Sequence, residues 1–439
     1  GSRARVKRII RIAFVSQPRD AIRASGSQHG SVAIVTWALA RRIARRHEVL
    51  VCAPRAPGQV LEESAEHGIR IRRIPFAFRT LHKAVEIASD VLGRGLPYPA
   101  SRMYFAEYAH AVARLLEREQ PDVVHLQTTA AWLPALRRAV PRARLVLHVH
   151  DAALASLPLA RTARLLAHAD AVVTCSEFVA RRLRASFGQG APLIRAIGNG
   201  VDLEHFRPAD RPPPGPFRFL YVGRVSPEKG VHVLVEAFDR LVKQEVDAVL
   251  EIVGPAGLLP YAQIRMMDAD APLATLARFY GRNALERMRR QVLEARTGYT
   301  NALRSELSEA AAPRVRFRGA FAQSDLPDVY RASHALVFPS VMHEPFGLPL
   351  VEAMASGLPC IGTRAGAIPD VIGGEECGLL VDRADPAGLA QAMHELVRDP
   401  DRAAHMGRRA RERAEAHFGW DRVTERLEGV YFELTAGTA

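Results

Sequence analysis

The sequence predicts two doubly wound α/β domains of similar plan, joined by a proline-rich connector. Three observations carry this expectation. A strand-like run, Ile9 to Val15, passes through the glycine-containing loop Ser25 to Ser31 into SVAIVTWALARRIARR, apolar at helical spacing, and HEVLVCAP follows as a second strand. The same strand–loop–helix order returns in FRFLYVG, RVSPEKG and VHVLVEAFDRLV, just after the stiff stretch Pro208 to Pro216. With 439 residues the chain is long enough for two ordinary domains, each with its own core.

Composition sets the class. Hydrophobic residues at 48% and charged residues at 24% are those of a soluble globular protein. No apolar run reaches the ~20 residues of a membrane span, and the Arg-rich start leads into a strand without a signal-peptide cleavage pattern. Cys52, Cys175, Cys360 and Cys377 are scattered without CxxC pairing, so reduced thiols in the cytoplasm are expected. The net charge of +13 suits an anionic nucleotide, an anionic membrane surface or nucleic acid. Arginines interleaved with Glu and Asp offer a purely compositional alternative. Aromatics at 7% and the lack of a recognition motif argue against nucleic acid. Peripheral contact with the inner face of the membrane remains compatible with the charge.

Within the first half, the glycines near Gly30 do not form GxGxxG, and no GxxxxGK[ST] occurs, so dinucleotide and P-loop sites are not supported. PDVVHL (121–126) and RLVLHVH (144–150) read as strands. His125, His148 and His150 are candidates because ligands of open α/β sheets gather at carboxyl strand ends, although a lone His there is as readily structural. Asn199-Gly200 marks a turn. In the second half, Arg224 and Lys229 place a forked donor and a point cation at a helix start, where phosphate binds. A solvated surface pair is the alternative. Leu258 to Pro313 reads as a largely helical, charged segment, and it contains Asp268-Ala269-Asp270.

The most informative stretch runs from Phe338 to Ala355, FPSVMHEPFGLPLVEAMA. The strand ALVF precedes it, Gly347 and Pro349 suit a tight turn into a helix, and Gly357 suits the helix end. Backbone N–H groups of such a helix start converge on one spot, flanked here by Glu344 and Glu352 with seven residues between them.

E-P-F-G-L-P-x-x-E-A-M-A-x-G-x-P resembles the E-x7-E region of the retaining glycosyltransferases of family 4, the glycosyl transferases group 1, which have the GT-B fold of two doubly wound Rossmann-like domains facing across a cleft. The resemblance covers nearly the whole chain except Leu258 to Pro313, and it implies a division into residues 1–207 for the acceptor, residues 208–418 for the nucleotide sugar, and a C-terminal helix in 419–439 that crosses back. It implies that Glu344 meets the donor sugar, that Glu352 binds the ribose hydroxyls, and that the N–H groups of Phe346, Gly347 and Leu348 hold sugar and phosphate. Gly30 and Ser31 align with the family's first glycine loop, facing diphosphate and acceptor, with His29 in place of the usual first Gly. His150 aligns with a donor-site histidine, and His125 and Asn199 are carried to the acceptor side. Gly223, Arg224 and Lys229 match the diphosphate loop G-R-x-S-P-E-K-G, while Arg318 and Gly319 fall at the nucleobase. Gly366 and Pro369 fall where the family has its G-x-P-E loop, and Asp370 replaces the usual Glu.

The implied activity is transfer of a sugar, with retained configuration, from a UDP- or GDP-type donor to a hydroxyl acceptor. That acceptor would be a sugar, a lipid-linked sugar or a small molecule, in polysaccharide, glycolipid or natural-product synthesis. No cofactor and no metal are expected, because cations stand where Mg²⁺ acts elsewhere, and Asp268 and Asp270 fall in a helix-prone insertion and not at a strand end. The alternatives are a nucleotide-sugar epimerase or glycogen-type synthase of the same fold, and a non-catalytic basic scaffold on membrane or nucleic acid.

Overall fold

The computed structural model describes residues 9–76, 103–187, 192–211, 213–259 and 298–436, together with residues 82, 84–85, 101, 264, 273–281, 283, 286 and 289–290. Among these residues eight strands form the first sheet: β1 (Arg11–Val15), β2 (Glu48–Pro54), β3 (Glu62–Ser64), β4 (Arg70–Ile74), β5 (Val123–Gln127), β6 (Arg144–Val149), β7 (Ala171–Thr174) and β8 (Ile194–Ala196). Six form the second: β9 (Phe217–Val222), β10 (Ala248–Val253), β11 (Val315–Gly319), β12 (Ala335–Phe338), β13 (Cys360–Thr363) and β14 (Gly378–Val381).

Strand order explains where ligands can enter. The first sheet runs β3-β4-β2-β1-β5-β6-β7-β8 and the second β11-β10-β9-β12-β13-β14, parallel throughout except for the β3–β4 pair. In each sheet the chain winds out on one side of its first strand and then on the other. β1 therefore lies between β2 and β5, and β9 between β10 and β12. At such a switch point the two following loops diverge and leave a crevice at the carboxyl ends. The loops after β1 and β5 open one crevice, and those after β9 and β12 the other.

Both sheets are buried on two faces, which is why strands such as VVHLQ and ALVF have no exposed residue. The antiparallel β3 strand had no signal in the sequence, for EES carries neither apolar alternation nor β-branched residues. The inserted segment contributes the helices Leu273–Tyr280 and Gly298–Ser305, whereas Asp268 and Asp270 lie outside the described residues. Among the described residues no helix is long and apolar enough to cross a membrane.

The helix Trp420–Thr435 returns to the first sheet and packs beside the helix Ser31–Ile43. Arg42 pairs with Asp421 at 3.0 Å and Arg46 with the buried Glu428 at 2.9 Å, so arginines at the end of the latter helix are engaged within the chain. Tyr431, wholly buried, reaches through to His125 Nδ1 at 2.6 Å. Tyr431→Phe would leave that nitrogen without its partner in a dry core. It should lower the free energy of unfolding by about 1–3 kcal/mol in urea denaturation, and an unchanged midpoint would show that the bond contributes nothing.

Candidate active site

The loop after β9 is shaped by close approach. A Cβ on Gly230, whose φ is 71°, would fall 1.9 Å from the carbonyl oxygen of Pro339, so only glycine lets the loops after β9 and β12 touch there. The contact is then sealed by hydrogen bonds. The N–H groups of Val341 and Met342 donate to the Glu228 carbonyl at 3.1 Å each.

The two loops thereby bring four charged side chains together. Lys229 Nζ donates to both oxygens of Glu344, at 2.6 and 2.9 Å, and Ser340 Oγ donates to the same carboxylate at 2.6 Å. Glu228 is wholly buried; it accepts from Ser226 Oγ at 2.6 Å and from Tyr280 Oη at 2.8 Å, with Arg224 Nη1 3.6 Å away. Two cations are thus matched by two carboxylates. Tyr280 comes from the insertion, which therefore braces the loop that carries both cations.

Gly347, with φ at 98°, turns the chain from β12 into the helix Leu348–Ala355, and no side chain caps that helix start. Its first turn faces a cleft of about 390 Å³. The second domain lines this cleft with Gly223, Arg224, Lys229, Glu344 and the Phe346–Leu348 backbone, and the first domain with Gln17, Ser31, Thr128, His150, Asp151 and Asn199. Gly30, with φ at 93°, immediately precedes Ser31 at the start of its helix. His150 meets Gln127 Oε1 at 2.6 Å, and burial pushes its pKa down to about 3, so the imidazole is neutral near pH 7. The buried Asn199 Oδ1 has no partner among the described residues.

Glu352 sits one turn into the helix, in an adjoining hollow of about 430 Å³ that shares Leu348 with the cleft. Ser27, Gln323 and Ser324 also line it, and Ser27 Oγ lies 3.2 Å from Ser324 Oγ, a contact between the two domains. Tyr330 Oη donates to Glu352 at 2.8 Å. Burial nevertheless raises this carboxyl to about 7. Gly319 lines a third pocket, while Arg318 pairs with Glu251 at 2.9 Å and lies 5.3 Å from the Phe321 ring centroid. Asp370 pairs with Arg181 of the first domain at 2.9 Å, and Gly366 N donates to His343 Nδ1 at 2.8 Å.

His125 corrects an expectation. It is wholly buried, bonded at Nδ1 to Tyr431 and at Nε2 to His148, 3.1 Å away, and cannot touch an acceptor. It occupies the third position of β5, below the carboxyl edge, whereas Gln127 and Thr128 reach that edge. Gln17, Thr128, Asp151 and Glu228 were missed as cleft residues or their supports. Thr128 adopts φ 65°, a strained turn that sequence does not announce. Among the described residues no group of three His, Cys, Asp or Glu side chains is placed to hold a metal ion.

The cleft between two facing switch points can be set against known proteins. The family model for glycosyl transferases group 1 matches residues 203–413, and that for glycosyltransferase family 4 matches residues 32–205. A D-inositol 3-phosphate glycosyltransferase of Streptomyces bingchenggensis is 30% identical over 82% of this chain and 79% of its own length. The chain belongs to the group 1 glycosyltransferases. This glycosyltransferase is also 24% identical to spore coat protein SA of Bacillus subtilis, over 92% of the chain and 94% of the relative. Among solved structures, sucrose-phosphate synthase from Thermosynechococcus elongatus superposes with a TM-score of 0.71 at 22% identity, covering 97% of this chain and 99% of that one. Anabaena HepE, in complex with UDP-glucose, gives 0.63 at 18% identity, covering 97% and 100%. These structures show the GT-B fold.

The raised pKa of Glu352 has a definite sign. The folded enzyme holds this proton up to about pH 7, whereas the ordinary value is 4.5, so ionisation costs stability that sets in as pH rises between those limits. Glu352→Gln should therefore gain stability relative to wild type at pH 8 compared with pH 4, by up to about 3 kcal/mol from the size of the shift. Urea denaturation at the two pH values measures this. A difference independent of pH would mean the carboxyl is ionised at no cost.

Proposed function

We propose that this glycosyltransferase moves a sugar from a nucleoside diphosphate donor to a hydroxyl acceptor, with retention and without a divalent metal. One observation carries the reading: Arg224, Lys229 and the uncapped start of the helix Leu348–Ala355 converge on one wall of the cleft, opposite neutral His150. Three sources of positive potential suit a leaving diphosphate. The bond from the anomeric carbon to phosphate oxygen breaks, the acceptor oxygen bonds to that carbon, and the acceptor proton passes to the departing diphosphate. Arg224 and Lys229 would hold the charge that develops.

Lys229 would turn toward phosphate on donor binding, releasing Glu344 to accept from sugar hydroxyls, and His150 would do the same from the facing wall. The N–H groups of Phe346, Gly347 and Leu348 would orient sugar and β-phosphate. Glu344 is already held by Lys229 and Ser340, so no protein nucleophile is assigned. Glu352 would accept from the ribose hydroxyls. Retention is supported by the resemblance of this motif set to that of the family, and the nucleotide-sugar donor by HepE, described in complex with UDP-glucose. A glycogen synthase of Mycobacterium tuberculosis, 28% identical over 72% of this chain, keeps chain elongation of a glucan compatible as a second reading.

Lys229→Ala and Arg224→Ala should each lower kcat by about 10²–10³, as loss of other preorganised charge stabilisers does; near-normal kcat in both folded variants would refute the diphosphate assignment. Turnover should survive EDTA, since the two cations supply the charge a metal would otherwise bring. Loss on chelation with recovery on adding Mn²⁺ would overturn metal independence.

A further inference from the structure

We propose that the inserted helix Gly298–Ser305 selects the nucleobase of the donor, with Asn301 and Arg304 as the reading residues. The proposal rests on the nucleoside diphosphate reading above and goes beyond it by naming what decides the base.

The helix is fixed on one face and open on the next. Tyr299 Oη meets both the backbone N–H and Nδ1 of His232, at 3.0 and 3.1 Å, on the helix Val231–Val242 that follows the cation loop. Leu303, four residues on, is wholly buried. Residues four apart share a helix face, so Tyr299 and Leu303 anchor one side. Thr300 and Arg304 form the neighbouring side, and with Asn301 they line a pocket of about 630 Å³.

The rest of that pocket consists of carboxyl strand ends of the second domain. Val225 follows β9, Gly254 and Ala256 follow β10, and Gly319 ends β11. Val225 adjoins Arg224 of the cleft, and Gly257 places its backbone against the Arg224 side chain, with a Cβ there 3.8 Å from Arg224 Cδ. The loop leaving Gly319 runs on to Gln323, which lines the hollow of Glu352. A nucleotide with diphosphate at Arg224 and ribose at Glu352 therefore has this pocket within reach of its base. Among the described residues the pocket's lining comes from the second domain, which assigns it to the donor and not to the acceptor.

Its chemistry suits a flat heteroaromatic ring. The Arg304 guanidinium lies 5.1 Å from the centroid of Phe317, an aromatic face with a planar cation beside it. Thr300 Oγ1 is buried without a partner among the described residues, and the Asn301 amide offers both a donor and an acceptor to a ring edge. Such edge contacts distinguish one base from another because a mismatched edge leaves buried polar groups unpaired.

The test is calorimetric titration of the full chain and of Asn301→Ala and Arg304→Ala with UDP, GDP, ADP, CDP and inorganic pyrophosphate. Both residues are exposed, so truncation does not threaten folding. Wild type should prefer one base, and each variant should shrink that preference by about tenfold, the equivalent of 1.4 kcal/mol, while pyrophosphate affinity changes less than twofold. A preference unchanged in both variants, a wild type without preference, or an equal loss for all five ligands would overturn the inference and leave the donor reading intact. A wild type that binds no nucleotide more tightly than pyrophosphate would overturn both.

Discussion

The bond between Lys229 and Glu344 is the contact on which the rest of the site depends. It joins the loop after β9 to the loop after β12, the two that flank the switch point of the second sheet. With Glu344 only 3% exposed, neither partner can be removed without leaving a charge in a poorly hydrated place. The pair is also poised. Two carboxylates balance Arg224 and Lys229, so the cleft wall does not carry the full repulsion of two adjacent cations. In the proposed reaction an arriving diphosphate would replace Glu344 as the partner of Lys229.

Around that pair the fold supplies rigidity from several directions. Gly230 allows the loops to meet, the Glu228 carbonyl ties them through two backbone N–H groups, and Tyr280 reaches in from the insertion to the Glu228 carboxylate. The insertion is thus part of the support of the site. Across the cleft, His150 and Asn199 stand on a sheet that the C-terminal helix clasps through Glu428 and Tyr431. Contacts between Ser27 and Ser324, and between Arg181 and Asp370, bridge the domains. Deeper in, Cys175 Sγ donates to the Pro345 carbonyl at 3.5 Å and the Phe178 ring centroid lies 5.4 Å from that of His343, so the joint is packed as well as bridged at its surface.

The legible parts were local ones. FRFLYV, VHVLVEAFDRLV and LPLVEAMA each state their conformation within a dozen residues, through apolar spacing and the placement of Gly and Pro, and the structure has them as strand, helix and helix. The site motifs could be read for the same reason: Arg224 and Lys229 share one loop, and Glu344 and Glu352 share one loop and helix. His125 was misplaced because a strand pattern reveals which residues are buried but not how far each lies from the carboxyl edge. The same ring that could have faced a ligand is capped by a tyrosine 306 residues away.

By itself, then, the sequence determined the two α/β domains, the family, and the identity of the charged groups, since these depend on periodicity and on short ordered motifs. Only the tertiary structure decided their partners. Lys229 and Glu344 are 115 residues apart, and Glu228 and Tyr280 are separated by 52. Whether such groups meet depends on strand order and loop approach, which no local pattern encodes. The structure also turned an insertion that reads as mere helical charge into a brace and a pocket wall. That outcome rests on where Tyr280, Tyr299 and Leu303 find cavities to fill, a property of the packed core and not of the segment alone.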